Sequence, residues 1–315
     1  MGRYSLNRLL WMIPVILGVT VLIFTIMYFV RGDPALTILG SAASEEQLEA
    51  KREQLGLNDP YFTRLLRFAK DIFLRFDFGM SYVNNTSISA EIASRFPRTV
   101  FLCLGSMAIA LLIGVPLGVN AAVHQGSVWD SASMVLALAG VSMPAFWVAL
   151  MLVLLFSLRY GLLPSLGYAS FAHYILPCVS NSFQGLALIA RQTRSGMLEV
   201  IHSDYITTAR AKGLSEYKII FGHALPNALI PVITITGTTL GNMLGSTVVI
   251  ESVFSIPGIG GYMITGINAR DYPVILACVI FLSIMFSLIM LLMDLLYAAI
   301  DPRIKAQYAQ KRWRQ

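Results

Sequence analysis

Six stretches of this chain are apolar for long enough to cross a bilayer, and the polar residues gather between them. A membrane helix needs about 20 predominantly apolar residues. Runs that qualify are 9–30, 99–123, 133–158, 173–190, 225–250 and 274–300. The fourth is the most polar, with Asn181, Gln184 and many small residues, and is expected to face protein rather than lipid. Pro14, Pro116, Pro144, Pro177 and Pro231 fall within runs. Membrane helices tolerate proline because neighbours re-satisfy the freed carbonyls. The pattern predicts an all-α, polytopic membrane protein with six transmembrane helices. Arg3 and Arg8 precede the first run as they would in a signal peptide. That run is longer than the 7–15 residues of a typical signal core, and Met27-Tyr28-Phe29-Val30 offers no small-residue cleavage site. A retained first span is expected.

The 31–98 segment carries helix punctuation of its own. Ser44-Glu45-Glu46-Gln47 is a capping-box pattern and Leu55-Gly56 a stop. Asp59-Pro60 predicts an N-cap followed by proline at the first helical position. Beyond it Tyr61, Phe62, Leu65, Leu66, Ala69, Ile72 and Phe73 recur at helical spacing. Two short helices are expected to fold against the outer ends of the spans, since such an apolar stripe needs a surface to bury against. The alternative is a small independent soluble domain. The expected organisation is an N-terminal tail and first span over 1–30, an extracytoplasmic helical segment over 31–98, a five-helix core over 99–300 and a tail over 301–315. A cytoplasmic loop of about 191–224 interrupts the core.

Composition supports the membrane reading. The chain is 56% hydrophobic and 13% charged, against about 25% charged in soluble domains. Basic residues mark one side: Arg3 and Arg8, then Arg191, Arg194, Arg210, Lys212 and Lys218, then Arg303, Lys305, Lys311, Arg312 and Arg314. Arg159 and Arg270 alone fall in the short loops of the other. The positive-inside rule places both termini in the cytoplasm. The net charge of +6 is dispersed over loop ends, which argues against nucleic acid as a partner. Cys103, Cys178 and Cys278 have no neighbour at metal-ligand spacing and read as small buried residues.

The loop between the fourth and fifth runs is the most informative stretch. It reads Ser203-Asp204-Tyr205-Ile206-Thr207-Thr208-Ala209-Arg210-Ala211-Lys212-Gly213 and continues to Phe221-Gly222-His223-Ala224-Leu225-Pro226-Asn227-Ala228. This is a short polar helix stopped by glycine, an amphipathic stretch, and a proline just inside the next span. The spacing resembles the EAA loop of bacterial importer permeases: Glu-Ala-Ala, three residues, Gly, nine residues, Ile-x-Leu-Pro. Ala209, Gly213, Leu225 and Pro226 match; Thr207, Thr208 and His223 stand where that pattern has Glu, Ala and Ile. Further stretches resemble the dipeptide, oligopeptide and nickel permeases of ATP-driven (ABC) importers. They are Gly32-Asp33-Pro34, Asp77-Phe78-Gly79, Ser142-Met143-Pro144-Ala145-Phe146-Trp147, Phe254-Ser255-Ile256-Pro257-Gly258-Ile259-Gly260, Arg270-Asp271-Tyr272-Pro273 and Asp301-Pro302-Arg303.

The resemblance implies a type I importer permease fold in the bacterial cytoplasmic membrane. It implies a second homologous permease, two ATP-binding subunits on the cytoplasmic face and an extracytoplasmic solute-binding protein. On that reading Asp204, Thr207, Thr208, Ala209, Arg210, Lys212 and Gly213 couple to an ATP-binding subunit. This chain binds no cofactor, while ATP and magnesium are used by the partner subunits.

The sequence has no Gly-x-x-x-x-Gly-Lys-Ser/Thr phosphate loop. Gly258-Ile259-Gly260-Gly261 reads as turn glycines in a loop outside the membrane. Asp294, near the cytoplasmic end of the sixth run, is expected to pair or cap, and no second acid lies within any run. His124, His173, His202 and His223 form no metal-binding pair. His173 could touch substrate at the outer mouth. Thr234, Thr236, Thr238, Thr239, Asn242 and Thr247 either line an aqueous path or bond to neighbouring helices. The candidate path residues are Thr238, Asn242, Thr247 and His173. Peptide is favoured as substrate over nickel or a nickel chelate, because the path's groups are hydroxyls and amides. A self-contained channel or secondary transporter would show inverted repeats or midplane charge pairs. An intramembrane enzyme would show a nucleophile with its base or two facing acids.

Overall fold

The computed structural model describes residues 2–30, 33–40 and 42–300. Twelve helices follow one another: α1 (Gly2–Phe29), α2 (Pro34–Leu39), α3 (Glu45–Gln54), α4 (Tyr61–Arg75), α5 (Ile88–Val123), α6 (Val128–Ser142), α7 (Ala145–Leu152), α8 (Ala172–Ile201), α9 (Asp204–Ala211), α10 (Leu225–Val253), α11 (Ile259–Ala269) and α12 (Tyr272–Ile300). A π-helical turn continues α7 to Arg159, and another, Lys218–Ala224, leads into α10. Gly32 and the tail 301–315, with its Asp301-Pro302-Arg303 motif, lie outside the described residues.

Among the described residues four helices can cross a membrane by length and composition, and five if a bent pair counts as one span. The expected six are therefore not all reached by that measure, for two physical reasons. The third run is not one rod. It breaks at Met143-Pro144 into α6 and α7, bent by 105°. Met143 is extended (φ −81°, ψ 128°), as a residue before proline must be to avoid its ring. The fourth run lies inside α8, whose 30 residues span about 45 Å. Asn181, Gln184, Arg191, Gln192 and Arg194 dilute its apolar character. α8 affords them because it is the hub of the bundle: α5 packs along it most extensively, followed by α10, α6 and α7.

Small residues permit that close approach, as in membrane helix pairs generally. A Cβ on Gly118 of α5 would lie 2.6 Å from Thr193 Cβ and would also strike the Ala190 carbonyl. A Cβ on Gly114, one turn earlier, would lie 2.9 Å from the Leu186 carbonyl oxygen. Gly118→Ala is expected to cost about 1–3 kcal/mol by overpacking this seam. Thermal unfolding of the detergent-solubilised variant checks it, with Gly222→Ala, which meets open space, as the control.

α1 is peripheral. Trp11, Leu22 and Phe29 are largely exposed, as on a lipid-facing helix. It lies antiparallel to α12 and is pinned at both ends. Arg8 meets Asp294 at 2.8 Å, so Asp294 is paired as expected. At the other end Phe24 packs on Tyr61 and Phe68 of α4, and the Thr25 and Tyr61 hydroxyls are 2.7 Å apart.

The segment between α1 and α5 holds three helices rather than two. The extra one, α2, starts at Asp33, whose carboxylate accepts from the Ala35 N–H at 2.9 Å. Ser44 and Gln47 form the full capping box of α3. Asp59 does not cap α4. Its carboxylate takes Arg67 at 2.7 Å instead, and Pro60 sits at the cap position. α4 turns Tyr61, Leu65, Phe68 and Ile72 inward and leaves Phe62 and Leu66 exposed. α5 begins at Ile88, eleven residues ahead of the run starting at 99. The first part of α5 thus belongs to this cap. Asp271, before α12, ties the cap down by accepting from Ser81 Oγ at 2.5 Å and the Tyr82 N–H at 3.1 Å.

Candidate functional site

Three features occupy α8–α11. The first is α9, at the end of the bundle opposite the cap. Ser203 precedes it in extended conformation and Gly213 follows it at φ +79°. That left-handed conformation suits glycine and strains any residue with a Cβ. Ile206 and Ala209 are buried among Val119, Ala122, Met197 and Ile219, so the short helix is bedded on α5, α8 and the turn leading into α10. Its other face is open. Asp204, Thr207, Thr208, Arg210, Lys212 and Gly213 are all exposed, and Ala209 alone of the seven expected coupling residues points inward. Arg210 reaches Glu216 at 2.8 Å, bracing the helix against the next turn. The pairing raises the Arg210 pKa and lowers that of Glu216. Asp130 of α6 grips Arg194 of α8 through two bonds of 2.6 and 2.8 Å near the same end.

The second feature is a polar stripe on α10. Asn227, Pro231, Thr234, Thr238, Asn242, Gly245, Val249 and Ser252 are exposed and follow one another at helical spacing down one face, with Thr234, Thr238 and Asn242 forming its polar middle. The Asn242 amide has no hydrogen bond among the described residues, and Thr238 returns its hydroxyl proton to Ile235 O. Thr247, grouped with these two by sequence, is on the opposite face. It is fully buried and donates to the Leu244 carbonyl at 2.7 Å. Thr239 is buried as well. His173 is half-buried at the start of α8, its Nδ1 2.9 Å from Ser170 Oγ. Beside the stripe, Asn181 bridges Ser106 of α5 at 3.2 Å and Ser246 of α10 at 2.6 Å.

The third feature escaped the sequence reading. α10 runs on to Val253, so it includes an acid that the run ending at 250 left out: Glu251, which is fully buried. Its Oε1 accepts from Thr99 Oγ1 at 2.6 Å and its Oε2 from the Gly261 N–H at 2.9 Å. Thr99 Oγ1 in turn accepts from the Ile259 N–H at 3.0 Å. Glu251 and Thr99 thus satisfy donors of the first turn of α11, whose N-cap residue Gly258 has no side chain to do so. This corrects the reading of Gly258-Ile259-Gly260-Gly261 as loop glycines: they open a helix. A Cβ on Gly258 would collide with the Glu251 carboxylate, and one on Gly260 with the α10 backbone at Val248. The signal available in the sequence was an acid closing a long apolar run just before a Pro-Gly turn.

Comparison with known proteins agrees with this arrangement. Residues 114–306 match the family described as binding-protein-dependent transport system inner membrane component. Residues 1–103 match the N-terminal region of the membrane component of binding-protein-dependent transport systems. The chain is 42% identical to the dipeptide transport system permease protein DppB of Alkalihalophilus pseudofirmus, over 97% of this chain and 100% of that protein. It is also 42% identical to the glutathione transport system permease protein GsiC of Salmonella paratyphi A, over 97% of this chain and 99% of that protein. Among solved structures, the inward-facing MetNI methionine ABC transporter superposes with a TM-score of 0.56. It shares 20% identity and covers 67% of this chain and 96% of its own, a likeness of fold. The chain belongs to the binding-protein-dependent transport system inner membrane component family and is an integral membrane subunit of a transporter.

Proposed function

We propose that this chain is one of two permease subunits of an ATP-driven importer of short peptides in the bacterial cytoplasmic membrane. The observation that carries the reading is the exposed face of α10, polar through its middle at Thr234, Thr238 and Asn242, while the other faces pack on α5, α8 and α12. A helix at the lipid surface gains nothing from exposing Thr234, Thr238 and Asn242. Against a homologous subunit the same face lines a shared path. Hydroxyl and amide groups there offer hydrogen bonds to peptide groups, and the relatives named for dipeptide and glutathione transport support that substrate class.

The α9 end faces the cytoplasm, where the basic residues gather and both termini lie. Two ATP-binding subunits dock there, one on this chain and one on its homologue, and they supply the ATP and magnesium chemistry. A solute-binding protein delivers peptide at the cap. Asp204, Thr207, Thr208, Arg210 and Lys212 present the docking surface, and buried Ala209 anchors it. The Ile206 and Ala209 contacts pass a push on α9 to α5, α8 and α10 together, since a packed core transmits strain rather than absorbing it. The spans then exchange between inward-open and outward-open states as rigid bodies.

A thiol scan tests the path. Cysteine at Thr238 or Asn242 is expected to react with a membrane-impermeant maleimide about ten times faster than cysteine at Thr247, by the burial difference. Dipeptide is expected to slow the first two. Equal rates at all three positions, with no effect of dipeptide, would remove α10 from the path.

A further inference from the structure

A cavity of about 500 Å³ lies away from α10, where the cap meets α1 and α12. Its wall is graded. Phe24 and Met27 of α1 and Leu276 of α12 form the deeper, apolar part. Phe24 lies six residues before Val30, which is about 9 Å into the span. The rim is charged, with three arginines, Arg52, Arg64 and Arg67, against two aspartates, Asp33 and Asp71.

Four of those five charges are answered within the chain. Arg52 holds Asp33 at 2.7 Å, Arg67 holds Asp59 at 2.7 Å, and Asp71 takes Arg75 at 3.0 Å. Arg64 differs. Among the described residues it has no carboxylate partner. It donates once, to the Leu57 carbonyl at 3.2 Å, and its guanidinium lies 5.4 Å from the centre of the Tyr28 ring. Tyr272 also lines the cavity and is 9% exposed.

We propose that this cavity binds one anionic phospholipid of the adjoining leaflet. Its phosphate meets Arg64, and the first part of its acyl chains lies over Phe24, Met27 and Leu276. Arginine is suited to phosphate by its planar fork of donors. The passage from charged rim to apolar wall matches an amphiphile crossing the membrane interface. The exposed Phe62 and Leu66 on α4 place apolar side chains on the cap itself, as an element resting on lipid requires. No residue of α10 lines the cavity, so its occupant is distinct from cargo on the polar stripe. A bound lipid would staple the cap to α1 and α12.

The experiment uses the full chain in vesicles of equal parts phosphatidylcholine and phosphatidylglycerol. A trace of phosphatidylglycerol carries a photoreactive group near its glycerol. After irradiation, crosslinked peptides are expected to centre on 24–30, 64–72 and 272–276. Arg64→Gln should lower that labelling about tenfold, the effect of one charge-assisted hydrogen bond, and Arg64→Lys, which keeps the charge but not the planar fork, about threefold. Arg75→Gln, on the same helix but outside the cavity, should leave it unchanged. Labelling that is dispersed, indifferent to both Arg64 variants or equal with photoreactive phosphatidylcholine would overturn the proposal. Displacement by inorganic phosphate would overturn it too, by assigning the site to a soluble anion.

Discussion

Glu251→Ala is expected to unfold the cap end of the bundle at markedly lower temperature and to abolish transport. The carboxylate is fully buried and accepts from Thr99 and Gly261, holding α10, α5 and α11 at one point. Removing it leaves a hydroxyl and an N–H without partners in a dry site. At about 1–3 kcal/mol for each such group, the loss is about 2–6 kcal/mol in all. Alanine also opens the space that Gly258 and Gly260 keep clear for the carboxylate. Glu251→Gln is expected to lose less, about 1–2 kcal/mol, because its amide oxygen still accepts one bond while its NH₂ opposes a donor. Thermal unfolding and uptake of the two variants check the order. An alanine variant as stable as glutamine, with normal uptake, would show that Glu251 is not the tie between these helices.

Gly213→Leu should separate folding from function. A Cβ at this position meets open space, so the chain itself does not resist the side chain sterically. The backbone resists it, because φ is +79°, at a cost of about 1–2 kcal/mol. That is too little to unfold a bundle whose core is elsewhere. The side chain instead projects from the exposed end of α9, where the docking partner is proposed to sit. Expected are normal amounts in the membrane, uptake reduced at least about tenfold, equivalent to some 1.4 kcal/mol of lost coupling, and loss of the ATP-binding subunits on purification. Gly213→Ala should fall between. Normal uptake with normal recovery of those subunits in the leucine variant would contradict the assignment.

Periodicity and punctuation made much of this legible beforehand. Ser44 and Gln47 announced α3, Gly213 the end of α9, and the helical spacing of apolar residues part of the inward face of α4, though Phe62 and Leu66 of that stripe are exposed. What escaped were features set by contacts distant in sequence. Whether Pro144 would kink a span or break it depended on how α6 and α7 pack on α8. Whether Asp59 would cap α4 depended on Arg67, which took its carboxylate first. Thr238 and Thr247 are the same residue type on the same helix. Nine positions at about 100° each bring them to opposite sides, so only packing decides which one water can reach. Glu251 was hidden because the apolar run ends one residue before it while the helix does not. Its glycine neighbours could be understood only with the carboxylate in place.

The most direct test of the central claim is uptake. Cells lacking this gene are supplied with it on a plasmid, and accumulation of labelled dipeptide and of nickel is followed in parallel. The account predicts that deletion abolishes dipeptide uptake and leaves nickel unchanged. The intact chain should restore uptake, and a chain with Thr238→Leu and Asn242→Leu together should not, although it reaches the membrane. Intact dipeptide uptake in the deleted strain, with nickel accumulation lost, would contradict it.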